Sequence, residues 1–217
     1  MAKPAALLDV DGTLVDNNYQ HALAWHLAIR RAGILVPVWK AHRAIGIGSD
    51  KIISELAGDE VEAEHGDAIR DHESEIFDGM KDDAIGVEGA TEFVAALKER
   101  GHQVILASSG DAGDIEKFVE LLEIGDHIDA MITSDDVDAS KPEPDLIQAA
   151  LERIDGDEAV MVGDTVWDVS AAKRAGIETI CVLSGGFAES ELREAGAAAV
   201  YESVAELRES LDDSPLA

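Results

Sequence analysis

Ala5-Ala6-Leu7-Leu8-Asp9-Val10-Asp11-Gly12-Thr13-Leu14-Val15-Asp16 is the stretch on which the reading of this chain turns. An apolar run ends in two aspartates one residue apart, and Gly-Thr follows at once. The run reads as a short buried strand, and Gly12 lets the chain turn sharply just beyond it. Side chains alternate along extended backbone, so Asp9 and Asp11 set out on the same side. In an open α/β sheet, ligands occupy the crevice outside the carboxyl ends of the strands, which is where this pair falls. Two carboxylates held together there call for a metal ion, a substrate cation or acid–base chemistry. The plain alternative is that Asp and Gly merely end a strand, as they commonly do.

Working outward, the rest of the chain alternates helix and strand. Phe93, Val94 and Leu97 form one helical face, closed by a basic last turn and Gly101. Val104 to Ala107 is a buried strand; Ile115, Phe118, Val119 and Leu122 mark the next helix, and Ala130 to Thr133 the next strand. Pro144 suits a first helical turn ahead of Leu146, Ile147, Ala150 and Leu151. Ala159 to Gly163, Ile180 to Leu183 and a weaker Ala198 to Tyr201 are further strands, with a helix around Ala171 to Ala175 and a last one over Val204 to Leu211. Apolar strands without strict alternation, each separated by a helix, predict an α/β fold with a doubly wound parallel sheet covered on both faces. The interval from Asp16 to Ala84 breaks this rhythm and reads as helices only: Tyr19 to Ala32, Trp39 to Ile45, Lys51 to Leu56 and Val61 to Phe77. The expected division is therefore a core of residues 1–15 and 85–217 carrying a small all-helical insertion, 16–84.

Charge is the second unusual feature. Forty-six acidic against seventeen basic residues give a formal net charge of −29 in 217 residues, whereas a small soluble domain carries a magnitude of roughly 2–8. Such self-repulsion opposes compaction in dilute salt. Screening shortens the Debye length from about 10 Å at 0.1 M to about 3 Å at 1 M. The acids are spread along the whole chain, which favours adaptation to a salt-rich cytoplasm, as in halophiles, over an acidic interaction tract. Nucleic acid is not an expected partner, since phosphate contacts need clustered Lys and Arg. No apolar run has membrane-spanning length, and the N-terminus lacks a signal-peptide pattern, so the expectation is a cytoplasmic protein, monomer or homodimer. The single cysteine, Cys181, lies in an apolar strand and reads as packing.

Three further strand tips carry polar groups. Ser108-Ser109-Gly110 offers hydroxyls and backbone N–H groups to phosphate oxygens. Lys141 precedes a proline ahead of a helix. Gly163-Asp164-Thr165-Val166-Trp167-Asp168 places two more acids after a strand, of which Asp168 could serve as an N-cap. Each is weak alone. Together and in this order, Asp-x-Asp-Gly-Thr, Ser, Lys-Pro and Gly-Asp-x-x-x-Asp resemble the four motifs of the haloacid dehalogenase-like superfamily, in its phosphoglycolate phosphatase and β-phosphoglucomutase branch. The resemblance covers Ala5 to about Gly176. It implies a Rossmann-like core, with the helical insertion as cap.

Physics gives such a set a purpose. Unit charges about 4 Å apart interact by roughly 4 kcal/mol at an effective dielectric of about 20. Asp9, Asp11, Asp164 and Asp168 therefore cannot share a crevice as bare anions. A hard divalent cation with oxygen ligands resolves this, and Mg²⁺ suits a few carboxylates, waters and a substrate phosphate; Lys141 supplies the other compensating charge.

The resemblance implies the roles. Asp9 is the nucleophile forming an aspartyl-phosphate, Asp11 the general acid–base, and Lys141 the group that neutralises and orients. Mg²⁺ is held by Asp9, the backbone carbonyl of Asp11 and Asp164, with Asp168 as a further ligand or water-bridging partner. Ser108, or failing it Ser109, holds a phosphate oxygen, and Thr13 supports the turn beside bound substrate. The acid–base at position 11 favours phosphoryl transfer over carbon–halogen cleavage, hence a phosphatase for a small phosphorylated metabolite resembling phosphoglycolate or a sugar phosphate. A sugar-phosphate mutase would share every core residue. A receiver domain would carry its acceptor on a middle strand, and a binding protein on the same scaffold would have lost a catalytic member. In the insertion, Arg43 and Lys51 flank a glycine-bearing loop and are candidates for a second anionic group on the substrate, with solvated charges as the alternative. His21, His26, His42, His65 and His72 show no metal spacing and read as ordinary helix residues, and Trp25 and Trp39 as packing.

Overall fold

A computed structural model of the chain describes residues 3–217. Six parallel strands form the central sheet: β1 (Ala5–Leu8), β4 (Val104–Ala107), β5 (Ala130–Ile132), β6 (Ala159–Gly163), β7 (Glu178–Val182) and β8 (Ala199–Tyr201), in the order β5-β4-β1-β6-β7-β8. All contacts in it are parallel, with Leu7 opposite Ile105 on one side and Met161 on the other. The sheet is buried on both faces because the odd and even positions of its strands are both apolar. Ala6, Leu8, Val104, Leu106, Val160 and Val162 join one core, under α5 (Ala90–Glu99), α6 (Ala112–Leu121) and α10 (Val204–Glu209). Leu7, Ile105, Ala107 and Met161 join the other, under α7 (Asp145–Leu151) and α8 (Val166–Ala175). The chain runs from β1 to β4 on one side, and β6 flanks β1 on the other, so the strand order reverses at β1. That is where an open α/β sheet leaves its crevice.

Four helices follow the first strand: α1 (Asn18–Arg31), α2 (Val38–Arg43), α3 (Ile52–Ala57) and α4 (Asp59–Asp78). They surround a separate cluster that includes Trp25, Ile29, Ile53 and Ile69. Two points depart from the sequence reading in this region. Trp39, read as packing, is 64 % exposed. The segment is also entered and left through a two-stranded antiparallel ribbon, β2 (Val15–Asp16) and β3 (Ile85–Gly86), with Val15 opposite Gly86 and Asp16 opposite Ile85. Strands of two residues are too short to show alternation. In the core, α9 (Glu189–Ala195) also escapes the sequence pattern. Its one buried residue is Leu192, and the Glu191 carboxylate accepts from the Ala188 N–H at its start.

Candidate active site

Backbone hydrogen bonds explain how β1 delivers its two acids. The Val10 carbonyl accepts from the N–H groups of Thr13, Leu14 and Val15, and Gly12 N–H donates to Val15. This tight turn puts Gly12 at φ +75°, a conformation that favours glycine. A Cβ there would also sit 2.5 Å from Asp164 Oδ2. The turn therefore lets the first motif and the tip of β6 approach closely.

At the centre, the fully buried Lys141 Nζ lies 2.7 Å from Asp9 Oδ1 and 2.7 Å from Asp168 Oδ1. Asp168 is not the N-cap of α8. Thr165 is, and the other Asp168 oxygen accepts from the Thr165 N–H and hydroxyl at 3.1 and 2.6 Å. This capping box fixes the carboxylate that faces Lys141. Asp164 accepts from the Thr13 hydroxyl at 2.9 Å and the Asn18 amide at 2.9 Å. The Thr13 hydroxyl is thus directed to an acid of the site instead of toward a substrate. Gly185 stands so close behind Asp164 that a Cβ would lie 1.6 Å from Oδ2.

One carboxylate oxygen from each of Asp9, Asp164 and Asp168 lies within 4.8 Å of the others, and all three residues are buried. Burial raises the Asp9 carboxyl; Lys141 opposes this, and the charges of Asp168 and Asp11 add to it. Burial, then the charges of Asp168 and Asp9, hold Asp164 well above the usual carboxylate range. Lys141 is held in its charged form: burial disfavours the ammonium, but Asp168 and Asp9 outweigh it. The donor set is all oxygen and its negative charge exceeds what Lys141 can balance. It fits a hard divalent cation.

Asp11 is held by residues that the sequence reading passed over. The Asn17 amide donates to Asp11 Oδ1, and His21 Nε2 lies 3.6 Å from the same oxygen, while His21 Nδ1 is 3.5 Å from Glu73. Burial alone would raise Asp11, but His21 and Asn17 bring it below its ordinary value. Burial would likewise lower His21, yet the neighbouring Asp11 and Glu73 carboxylates raise it to about 10, favouring the imidazolium. His21 stacks on Phe77 at 3.8 Å between centroids. It is therefore no ordinary helix residue. Its one sequence signal is position: it lies one turn into the first helix after Asp11, on the heels of Asn17-Asn18.

Ser108 is buried at the tip of β4; its hydroxyl lies 3.5 Å from Asp11 Oδ2 and accepts from the Gly110 N–H at 3.0 Å. Ser109 lines the cleft and its hydroxyl reaches the Gly46 carbonyl at 3.4 Å. Arg43 and Lys51 are not brought to the site. Arg43 pairs with Glu191 at 2.6 Å and lies over the Phe187 ring. Lys51 reaches the Ser140 carbonyl and Glu143, each at 3.4 Å. Both therefore tie the helical segment to the core. Trp25 packs in the helical cluster and also edges the cleft.

Asp9 and Asp11 line a cleft of about 320 Å³ between the sheet tips and helices α1 and α4. The chain compares with known proteins as follows. The family model described as haloacid dehalogenase-like hydrolase matches residues 3–176. A phosphoglycolate phosphatase from Nitrosococcus oceani is 27 % identical over 216 residues, 96 % of each chain. The pyrophosphatase PpaX of Bacillus velezensis is 30 % identical over 192 residues, 81 % of each. The crystal structure of a hydrolase from Pseudomonas syringae superposes with a TM-score of 0.91 at 30 % identity, covering 97 % of this chain and 99 % of that one.

Proposed function

Since the chain belongs to the haloacid dehalogenase-like hydrolases, we propose that it is a Mg²⁺-dependent phosphatase acting on a small phosphate monoester through an aspartyl-phosphate. The observation that carries this reading is the Lys141 ammonium lodged between Asp9 and Asp168, with Asp164 beside them. It leaves one carboxylate, Asp9, oriented by the ammonium and lining the cleft.

Asp9, Asp164 and the backbone carbonyl of Asp11 would hold the cation, with Asp168 joining directly or through water. When bound, Mg²⁺ offsets negative charge on the transferring phosphoryl group. The chain's own groups do the rest. An Asp9 oxygen attacks phosphorus in line, the bond to the ester oxygen breaks, and Asp11 gives that oxygen a proton. Lys141 offsets charge on the transferring group, and Ser108 and the nearby backbone N–H groups hold its oxygens. Water then attacks the phosphorus of the aspartyl-phosphate, with Asp11 taking its proton, and phosphate leaves with Asp9 restored. Asp11 enters the first half in its acid form and the second as carboxylate, and His21 and Asn17, which lower its pKa, favour the form used in the second, base half of this cycle.

The proposed setting is the cytoplasm, with a phosphorylated metabolite as partner and neither nucleic acid nor membrane involved. The test is phosphate release from simple esters in high KCl with and without Mg²⁺. Wild type should require the metal, and Asp9→Asn should lose at least about a thousandfold in kcat. Substantial turnover by Asp9→Asn would refute the covalent route.

A further inference from the structure

Among the described residues, the cations around the cleft are already paired with the chain's own carboxylates. Arg70 is the cationic guanidinium in its wall, and Glu62 grips it through both oxygens, Oε1 2.8 Å from Nη2 and Oε2 3.1 Å from Nη1. Asp67 takes Nη2 at 3.0 Å and the Ser49 carbonyl takes Nη1 at 3.3 Å. Fork-on-fork pairing of this kind occupies the two terminal nitrogens of a guanidinium that could otherwise clamp a carboxylate or phosphate. His21 is shared between Asp11 and Glu73. Lys81, nearby, is bound by Asp78 and Asp114, and Arg43 and Lys51 are paired elsewhere. The cleft is also lined by Asp71, Glu73, Ser49, Ser74, Trp25 and Phe77.

We infer that this cleft selects phosphate esters of uncharged, hydroxylated alcohols, and that the Glu62–Arg70 pair sets this selectivity by withholding the guanidinium from a second anionic group. The inference rests on the phosphatase reading above and narrows it. A substrate carboxylate or second phosphate would have to break a bidentate ion pair and then sit beside Asp71 and Glu73. Hydroxyl groups meet acceptors and donors there without either cost, and their carbon skeleton meets the aromatic side chains. The chain would thus part from the two relatives described above, whose names specify phosphoglycolate and pyrophosphate.

The experiment compares kcat/KM of the full chain, in Mg²⁺ and high KCl, for glycerol phosphate, glucose 6-phosphate, phosphoglycolate, pyrophosphate, glucose 1,6-bisphosphate and phosphoethanolamine. The uncharged alcohols' esters should lead the anionic ones by about tenfold or more, the worth of one charge-assisted hydrogen bond. Glu62→Gln should raise kcat/KM for phosphoglycolate about tenfold, through KM, and leave glucose 6-phosphate within about twofold. The wild-type ranking stands as a test even if the variant fails to fold. Preference for phosphoglycolate, pyrophosphate or the bisphosphate overturns the inference while leaving a phosphatase, and so does preference for the cationic phosphoethanolamine. No hydrolysis of any ester, p-nitrophenyl phosphate included, overturns the phosphatase reading and this inference with it.

Discussion

Lys141 is the residue on which the site's electrostatics hinge. It is fully buried, and its two partners are buried carboxylates at 2.7 Å. Removing one member of such a group leaves the others charged and unpaired in a medium that solvates them poorly, which costs more than the intact pair contributes. Lys141→Met keeps the stem and deletes the charge. It should destabilise the metal-free protein by about 3–5 kcal/mol, read as a lower urea midpoint, and cut kcat/KM by about a hundredfold or more. A variant as stable as wild type would refute the assignment of the buried charge pairs to Lys141. Residues of this kind were legible in the sequence because each of Asp9, Asp11, Ser108, Lys141 and Asp164 ends or follows a strand. Asn17, Asn18 and His21 were not. They act on Asp11 and Asp164 from a helix whose face toward the sheet depends on how the inserted segment is seated, and no local pattern encodes that.

Among the elements, the junction between α5 and β4 shows what a buried histidine contributes. His102 is buried, and its Nδ1–H donates to the Pro4 carbonyl at 2.8 Å, tying the start of β1 to the strand that pairs with it. Burial lowers its pKa; the bond to Pro4 opposes this and the charges of Lys3 and Arg100 reinforce it, leaving the folded value below that of a free imidazole. The unfolded chain, whose histidine titrates near about 6.5, then binds the proton more readily than the folded one. The His102 contribution to stability should therefore shrink as pH drops below about 6.5, and level off below the folded pKa. The stability difference between wild type and His102→Gln should shift in the variant's favour between about pH 7.5 and 5.5, and a difference independent of pH would refute the assignment. The strands themselves were readable from apolar runs with a glycine or polar stop. Helix α9 and the β2–β3 ribbon were not, the first because it buries a single leucine and the second because two residues carry no period.

Across the whole molecule, a net charge of −29 must be held in one compact body. Most of its ion pairs lie at the surface, where each contributes little, so diffuse repulsion is the dominant electrostatic term. Raising KCl from 0.1 to 2 M should increase the thermal midpoint steeply at first and then more slowly, as screening saturates. Sucrose at matched osmolality should not reproduce the initial rise. A midpoint indifferent to KCl would refute the salt-adapted reading.

The strand order carries a consequence for how the chain acquires its shape in time. β1 precedes the other described elements in the chain, yet its neighbours are β4 and β6, so Leu7 meets Ile105 and Met161 only after the intervening helices have been synthesised. Helices α1 to α4 close on contacts near in sequence and can gather while β1 is still unpartnered. The strand that leads into Asp9 is thus made before its partners and satisfied late. During that interval its apolar run is an exposed edge, open to aggregation or to capture by a chaperone.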